Sequence, residues 1–411
     1  MTDIVNRLVT AGRALRSAAA HEVPEALREV LCAHYAAETA ELWLADYGAA
    51  VLLPVSPTPH GVAPEPVPVR AGALGRAYGA QEPQVERLDG GRVCAHLPVT
   101  VRGDRLGVLS VTLPAEAAGP DRICELAELA RLLGHELLVA ERDTDRYLQA
   151  RRTDRLTLAA EMQWQLLPAR SCARDAYALG AQLEPAYAIH GDNFDWSASA
   201  DHLMVYVTNG MGEGIEASLL TGLGINALRN ARRAGIPIAD QAALADQAIH
   251  AHYRGEAHLS VLLVDIELST GRMQVVDAGS PRMLLLRDRV LTAVDLEAQL
   301  PLGMFEETDY VAQEFVLEPG DRLLFVSDGV HAVPGPGGEI YGERALARAV
   351  NSAALLPAAE VPAAVLRELS GHRGRPEPDD DALVVCLDWF GKPPRPRPAP
   401  PDQQRHDADE E

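Results

Sequence analysis

Four acidic or amide side chains in the second half of the sequence share one context. They are Asp192 in HGDNFD, Asn209 in TNGMGEG, Asp328 in FVSDGV, and Asp379 or Asp380 in PDDDALVV. Each lies at the end of a hydrophobic run that predicts a β-strand. Side chains at strand ends can converge on one edge of a sheet sandwich, so we expect an oxygen-rich site suited to Mg²⁺ or Mn²⁺. Taken singly, an Asp-Gly pair is more typical of a turn, and a run of aspartates of a solvated loop.

The segment TNGMGEGIEASLL, which runs from Thr208 to Leu220, contains three glycines directly after the predicted strand HLMVYVT. Glycine tolerates backbone conformations that other residues avoid, so the carbonyl groups of such a turn are free to face a cation. The apolar residues that follow recur at helical spacing. We therefore predict a tight turn between a strand and a helix at this point.

The overall charge restricts the class of partner. The chain has 411 residues, with 37 basic and 59 acidic side chains and a formal net charge of -22. Such a charge repels the phosphates of nucleic acids and the headgroups of anionic lipids. We therefore expect neither a nucleic-acid-binding nor a membrane-surface protein. The length favours two domains joined by a linker.

Cysteine usage and the N-terminal residues indicate the compartment. The five cysteines are far apart and form no CxxC pair, which is typical of reduced residues rather than a disulfide framework. The N-terminal sequence MTDIVNRLVTAGRALRS lacks the apolar core of a signal peptide, and the sequence contains no run of about 18 apolar residues. The sequence therefore predicts a cytoplasmic protein.

The first half combines helices with a strand pair. The segment RVCAHLPVTVRGDRLGVLSVTLP predicts a hairpin that turns at residues 102–105. An amphipathic helix follows, which either pairs with a copy of itself or packs on its own sheet. Its apolar seam consists of Ile123, Leu126, Ala130, Leu133, Leu137 and Ala140. The charged segment ERDTDRYLQARRTDR separates this helix from a second one, LTLAAEMQWQLLP, which ends at Pro168.

Strand patterns dominate from about residue 173 and are interrupted by one block of two helices, which predicts an α+β fold. The tail GKPPRPRPAPPDQQRHDADEE is rich in proline and charge, which predicts disorder. We divide the chain into a helical segment at residues 1–19, a sensor-like domain at 20–140, a helical linker at 141–172, a catalytic-type domain at 173–390 and a tail at 391–411.

The order of the motifs in residues 156–389 resembles the bacterial metal-dependent (PPM-type) protein serine/threonine phosphatases, in the branch of the stage II sporulation protein E and the stress-response sigma regulators. The resemblance rests on motifs that follow one another in the family's order. They are HGDNFD, Asn209-Gly210-x-Gly212, Asp277-Ala278-Gly279-Ser280-Pro281, Pro301-Leu302-Gly303, Gly320-Asp321, Ser327-Asp328-Gly329 and Asp379-Asp380-Asp381-Ala382-Leu383.

The resemblance implies a β-sandwich flanked by helices that binds two Mn²⁺ or Mg²⁺ ions. By this likeness, Asp192, Asp328 and Asp379 are the catalytic and metal-binding carboxylates, and Asp380 is the alternative to Asp379. The Gly210 carbonyl supplies a further oxygen. The implied reaction is hydrolysis of phosphoserine or phosphothreonine by a metal-bound water, without a covalent nucleophile.

Asn209 departs from the family, which has an aspartate bridging both metals at this position. An amide offers one carbonyl oxygen and no charge. The sequence thus leaves open a two-metal enzyme with weak affinity, a one-metal enzyme, or a pseudophosphatase that binds a phosphoprotein without turnover. Glu213 either replaces the missing carboxylate or faces solvent at the helix start, where it complements the helix dipole.

Residues 20–140 resemble a GAF sensory domain, through the strand AELWLAD and the hairpin around residues 102–107. This resemblance implies regulation by an unknown small molecule. The family likeness implies a phosphorylated partner protein, such as an anti-sigma-factor antagonist. The two linker helices suit a homodimer.

Overall fold

The computed structural model describes residues 2–55, 65–153, 156–184, 190–374 and 378–391. Most of the predicted disordered tail, from residue 392 on, lies outside the described residues. Within the described part of the chain, no helix has the length and apolar character that a membrane crossing requires.

The N-terminal half is built around an antiparallel sheet with strand order β3-β2-β1-β6-β5-β4. Its strands are β1 (Thr39–Ala45), β2 (Val51–Pro54), β3 (Val67–Pro68), β4 (Gln84–Leu88), β5 (Arg92–Val101) and β6 (Asp104–Pro114). Its helices are α1 (Thr2–Ser17), α2 (Val23–Tyr35), α3 (Gly72–Ala80) and α4 (Pro120–Ala140). Helices α1, α2 and α4 share one core with the sheet, while α3 packs in a separate cluster. The hairpin predicted around residues 102–105 is confirmed as β5 and β6.

Helix α4 packs on its own sheet, which is one of the two arrangements that its sequence allowed. Its seam residues Leu126, Ala130 and Leu133 are fully buried in the core with residues of α1 and β5. The apolar stripe of α4 is buried against the sheet of the same chain. Pairing of α4 with its copy in a second chain would require this stripe to be exposed. A homodimer would therefore need a surface other than this stripe of α4.

The linker contains α5 (Arg146–Ala150) and α6 (Leu158–Leu166). The Thr157 hydroxyl caps α6 by accepting a hydrogen bond from the Ala160 backbone N–H at 3.2 Å. Leu167 takes an extended conformation, as expected for a residue before a proline. The second helix predicted in the linker, with its end before Pro168, is confirmed.

The C-terminal half contains two antiparallel sheets. One has strand order β15-β12-β11-β10-β9, and the other has β14-β13-β16-β17-β8-β7. Their strands are β7 (Ser171–Ala173), β8 (Tyr177–Glu184), β9 (Asn193–Ala198), β10 (His202–Gly210), β11 (Leu259–Glu267), β12 (Arg272–Ala278), β13 (Arg282–Arg287), β14 (Val290–Ala293), β15 (Gln313–Val316), β16 (Arg322–Val326) and β17 (Ala382–Trp389).

The two sheets pack face to face, because one hydrophobic core joins side chains from both, among them Val205 and Leu262 on one side and Phe325 and Val385 on the other. Helices α7 (Gly214–Arg233) and α8 (Ile238–Tyr253) cover the outer face of the five-stranded sheet. The outer face of the six-stranded sheet is covered by α9 (Asp328–His331), α10 (Tyr341–Ser352) and α11 (Val361–Arg373). The layers are helix, sheet, sheet and helix, so the predicted α+β class with a helix-flanked β-sandwich is confirmed.

The turn between β5 and β6 touches β7 at the edge of the six-stranded sheet. The Ser171 hydroxyl donates to the Gly103 carbonyl at 2.8 Å, and the Ala173 N–H donates to the Arg102 carbonyl at 3.4 Å. Gly103 has φ +95°, and a Cβ there would lie 2.9 Å from the Ala173 nitrogen. Only glycine fits this contact between the two halves. Arg105 and Glu360 add an ion pair at 3.3 Å.

Candidate metal centre

The predicted strand-end residues come from both sheets of the sandwich. Asp192 directly precedes β9, and Asn209 is the next-to-last residue of β10. Asp328 opens α9, two residues after β16 ends, and Asp380 lies two residues before β17. The Asn209 side-chain N–H donates to Asp328 Oδ1 at 2.5 Å, which joins the two sheets at this edge. This hydrogen bond brings two of the expected side chains, Asn209 and Asp328, together.

Asp192 lies at the bottom of the site. Its exposed fraction is 1%, and neither carboxylate oxygen has a hydrogen-bond partner. Burial raises the pKa of Asp192 well above its usual value, and the carboxylates of Asp381 and Asp328 raise it further. The Ser327 hydroxyl offsets part of this shift without reaching hydrogen-bond geometry. A buried carboxylate without donors is stabilised only by a proton or a cation.

Asp381 was missed by the sequence analysis. It is fully buried, and its Oδ2 accepts hydrogen bonds from Gln163 Nε2 at 3.0 Å, His190 N at 3.0 Å and Gly191 N at 3.1 Å. These bonds fix the loop that precedes Asp192. Asp381 lies next to the apolar run ALVV, and this position is the sequence signal that distinguishes it from the two preceding aspartates.

Asp379 and Asp380 differ in their surroundings. Asp379 is exposed, whereas Asp380 is partly buried and its Oδ1 lies 3.6 Å from His190 Nδ1. Burial raises the pKa of Asp380, and the neighbouring Asp328 carboxylate raises it further. The structure thus brings Asp380 close to Asp328 and leaves Asp379 toward solvent.

The backbone beside Asp381 requires Gly329 in the motif FVSDGV. A Cβ at position 329 would lie 1.9 Å from the Asp381 carbonyl oxygen. Because of this close approach, α9 begins directly against the segment that carries Asp380 and Asp381. The Gly329 N–H also donates to Asp328 Oδ1 at 3.1 Å, which orients that carboxylate.

Gly210 and Glu213 lie on either side of the glycine turn. The Gly210 N–H donates to the Gly191 carbonyl at 3.3 Å, and Thr221 Oγ1 donates to the same carbonyl at 2.8 Å. The end of β10 is thereby tied to the loop of Asp192. Glu213 is exposed immediately before α7 and caps no backbone N–H with its side chain. Its position is that of a solvent-facing residue at a helix start.

Asp195, the second aspartate of HGDNFD, is paired with arginines. Its two carboxylate oxygens lie 2.7 Å from Arg229 Nη2 and 2.9 Å from Arg232 Nη2. Both arginines belong to α7, so Asp195 anchors this helix to the sheet. Its charge is already compensated, which separates it from the metal candidates.

The fit of these side chains to a divalent cation depends on their geometry and on their chemistry. Among the described residues, no three His, Cys, Asp or Glu side chains form a group with metal-holding geometry. The oxygens of Asp192 nevertheless lack partners, and carboxylates of the kind that Mg²⁺ and Mn²⁺ prefer surround them. The chemistry of the residues fits a cation, although one oxygen of Asp328 is engaged by Asn209.

Comparisons with known proteins agree with this geometry. Residues 199–390 match the profile of the family "Stage II sporulation protein E (SpoIIE)". The phosphoserine phosphatase RsbU of Bacillus subtilis (strain 168) is 22% identical over 200 residues, which are 48% of this chain and 60% of that protein. The match thus spans less than two thirds of the length of this relative.

Two solved structures are also similar. The RsbU and RsbW domains of a Mycobacterium tuberculosis protein share 24% identity, with 53% of this chain and 63% of that chain covered and a TM-score of 0.46. The phosphatase domain of SpoIIE from Bacillus subtilis, with a fragment of its regulatory domain, shares 15% identity over 75% of this chain and 82% of that chain, with a TM-score of 0.47. From the family match and the relative, we conclude that residues 199–390 are similar to the stage II sporulation protein E family and that the chain is similar to the phosphoserine phosphatase RsbU.

Proposed function

We propose that this protein is a metal-dependent protein serine/threonine phosphatase whose cation is held by Asp192, Asp328 and Asp380, with the Gly210 carbonyl as a further oxygen. The observation that carries the proposal is Asp192, which is buried without a hydrogen-bond donor on either oxygen. A carboxylate buried beside three others needs a proton or a cation for stability, and a cation would also be held by the neighbouring carboxylates. We propose Asp380 as the third ligand in place of Asp379, because Asp380 lies beside Asp328.

The residues of the chain have separate tasks in this proposal. Asp381 accepts the N–H groups of His190 and Gly191 and so holds the Asp192 loop in place. The Gly329 N–H orients Asp328. The chemistry that a bound Mn²⁺ or Mg²⁺ supplies is an acidified water as nucleophile and neutralisation of charge on the phosphoryl oxygens.

The number of cations that we expect, and their affinity, depend on Asn209. Its amide nitrogen faces Asp328 Oδ1, so its single carbonyl oxygen is turned away from that carboxylate. A second cation would lack the negative charge that an aspartate at this position provides. We therefore propose a single well-held cation, or a second one of much lower affinity.

One observation favours a second candidate, a pseudophosphatase. The hydrogen bond from Asn209 satisfies an Asp328 oxygen that a cation would otherwise use. A domain in this state would still present its site surface to a phosphorylated partner. It would bind the phosphoprotein without hydrolysing it.

The test is Mn²⁺-dependent hydrolysis of a phosphoserine peptide and of p-nitrophenyl phosphate by the wild type, Asn209→Asp and Asp328→Ala. We expect wild-type activity that requires Mn²⁺ and falls by at least about a hundredfold in Asp328→Ala, because removal of a ligand removes much of the electrostatic stabilisation of the transition state. Asn209→Asp should raise activity at low Mn²⁺ concentration.

The outcomes separate the two candidates. Activity only in Asn209→Asp identifies a pseudophosphatase, whereas wild-type activity that survives Asp328→Ala contradicts the proposed site. Calorimetric titration with Mn²⁺ counts the cations, and Asp201→Asn, an exposed aspartate between β9 and β10, serves as the matched control.

For the biological setting, we propose a signalling protein that carries phosphoserine as substrate, because the relative RsbU is a phosphoserine phosphatase. The more specific proposal of an anti-sigma-factor antagonist rests on the family likeness of the motifs. We further propose that residues 20–140 act as a GAF-like regulatory domain, that the protein works in the cytoplasm, and that two copies associate. The contacts between the β5–β6 turn and β7 support regulation, since they join this domain directly to the sandwich.

A further inference from the structure

A cavity of about 600 Å³ lies where the two halves and the linker meet. Its walls come from the N-terminal half at Tyr47 and Leu138, from the linker at Arg151 and Trp164, and from the sandwich at Trp196. The volume is that of a typical small-molecule pocket. The cavity is separate from the carboxylates of the candidate metal centre, none of which lines it.

Two arginines in its wall donate hydrogen bonds to backbone carbonyls. Arg151 donates through Nε to the Ala45 carbonyl at 3.0 Å, and Arg170 donates to the carbonyls of Tyr47 and Asp46 at 3.1 and 3.2 Å. Neither guanidinium forms an ion pair with any residue that the structure describes. Burial lowers the pKa of Arg151 and the nearby Arg170 lowers it further, whereas the carboxylates of Glu141 and Asp104 raise it.

The charge of the wall differs in sign from that of the whole protein. The lining includes the arginines 102, 151, 170 and 174, against the carboxylates Asp104 and Glu141. The chain as a whole has a net charge of -22. A local excess of arginine at the wall of a cavity attracts an anion and repels a cation. Since guanidinium groups bind planar carboxylates with two parallel hydrogen bonds, the excess suits a carboxylate.

Aromatic and apolar side chains form the remainder of the cavity. The rings of Tyr47 and Trp164 stack with their centroids 5.2 Å apart, and the Arg151 guanidinium lies 5.2 Å from the Tyr47 ring centre. Leu138 and Val139 of α4 are unusually exposed for large apolar residues, with exposed fractions of 38% and 60%. These surfaces suit the face of a planar ring.

We propose that this cavity binds a small aromatic carboxylate, with its carboxylate on Arg151 and Arg170 and its ring against the Tyr47–Trp164 stack. Because the walls belong to both halves and to the linker, the bound ligand would stabilise their present arrangement. The site is independent of the phosphatase proposal, since binding can be measured without turnover.

The experiment is calorimetric titration of the full chain with indole-3-carboxylate and, as the uncharged probe of equal shape, indole-3-carboxamide. We expect the acid to bind at least about tenfold more tightly than the amide, because charge-assisted hydrogen bonds are about twice as strong as neutral ones. Arg151→Gln should reduce the affinity for the acid by at least about tenfold. Arg142→Gln, an exposed arginine just after α4 that does not line the cavity, should leave the affinity unchanged.

A second variant tests the proposal in case the Arg151→Gln protein does not fold. Val139→Trp places a bulky side chain at the cavity wall from a position that is already exposed, so it should block the acid while the thermal unfolding midpoint stays near the wild-type value. The proposal is overturned by equal binding of acid and amide, by the absence of binding at millimolar acid, or by undiminished binding in Val139→Trp.

Discussion

Asn209 changes the balance of charge in the metal-free site. Asp192, Asp328, Asp380 and Asp381 lie near one another, and a fifth carboxylate at position 209 would add to their repulsion. The neutral amide instead donates a hydrogen bond to Asp328. Asn209 therefore stabilises the protein without a cation, and in the proposed site it would weaken cation binding, because it removes a ligand and lowers the free energy of the empty site.

The choice between Asp379 and Asp380 yields a direct prediction. Asp380→Asn should weaken Mn²⁺ binding by at least about tenfold, because it removes one charge from the ligand set, whereas Asp379→Asn should change it by less than about twofold. Calorimetric titration of each variant with Mn²⁺ measures the effect. A larger loss in Asp379→Asn would assign the ligand to the exposed residue.

The sequence predicted a ligand at Asp379 or Asp380 and could not choose between the two residues. The three aspartates precede β17, and their burial changes from exposed at Asp379 to partly buried at Asp380 and fully buried at Asp381. In PDDDALVV the three aspartates are chemically identical, and only long-range contacts distinguish them. Asp381 is identified by its bonds to the loop at residues 190–191 and to Gln163 of α6, about 190 and 218 positions away in sequence.

At the scale of elements, α6 is connected directly to the candidate metal centre. Gln163 is buried on this helix and donates from Nε2 to the Asp192 carbonyl at 2.6 Å and to Asp381 Oδ2 at 3.0 Å. Ser218 of α7 donates to the Ala159 carbonyl at 3.2 Å, which fixes α6 against α7. A shift of the linker helix would thus move the loop that carries Asp192.

This connection predicts that Gln163→Leu weakens Mn²⁺ binding by about three- to tenfold, because two buried acceptors lose their donor. Gln165→Leu on the same helix is the matched control, since Gln165 is exposed and its side-chain amide donates to Glu161 Oε1 at 3.0 Å. Both variants should keep a cooperative thermal transition. Equal Mn²⁺ affinity in the two variants would show that α6 does not support the site.

The hairpin at residues 102–105 and the end of α6 before Pro168 were predictable at this scale, whereas the partner of α4 was not. Periodicity identified an apolar stripe on α4, but the same stripe serves self-pairing or packing on a sheet. Packing of α4 on its own sheet depends on β5 and α1, because their side chains fill the core beneath Leu126 and Leu133. The packing partner of a helix therefore depends on distant segments of the fold and cannot be predicted from the sequence of the helix alone.

At the scale of the whole molecule, the segment that matches the family profile begins within the β-sandwich and not at its first strand. It begins at residue 199, after β9, but β8 pairs with β17 along its full length and β9 pairs with β10. Tyr177, Leu179 and Leu183 of β8 also belong to the sandwich core. The matched segment therefore lacks strands that the sheets need, as well as Asp192.

We predict that a fragment of residues 199–391 does not fold cooperatively, whereas one of residues 156–391 does. Loss of β8 and β9 exposes the core faces of both sheets, and each buried leucine removed from the core costs about 2 to 5 kcal/mol. Circular dichroism during thermal unfolding distinguishes the two fragments. A sigmoidal transition in the shorter fragment would place the folding unit within the family match.

The contact between the β5–β6 turn and β7 also bears on self-association. Strand β7 is the last in its sheet, and such an edge offers free backbone groups to any other extended chain. The Arg102 carbonyl accepts the N–H of Ala173 on this edge, and Gly103 covers Ser171. The N-terminal half thus shields the edge from pairing with a neighbouring molecule. An isolated sandwich, even one that folds, would present an open edge to its own copies and would be prone to aggregate.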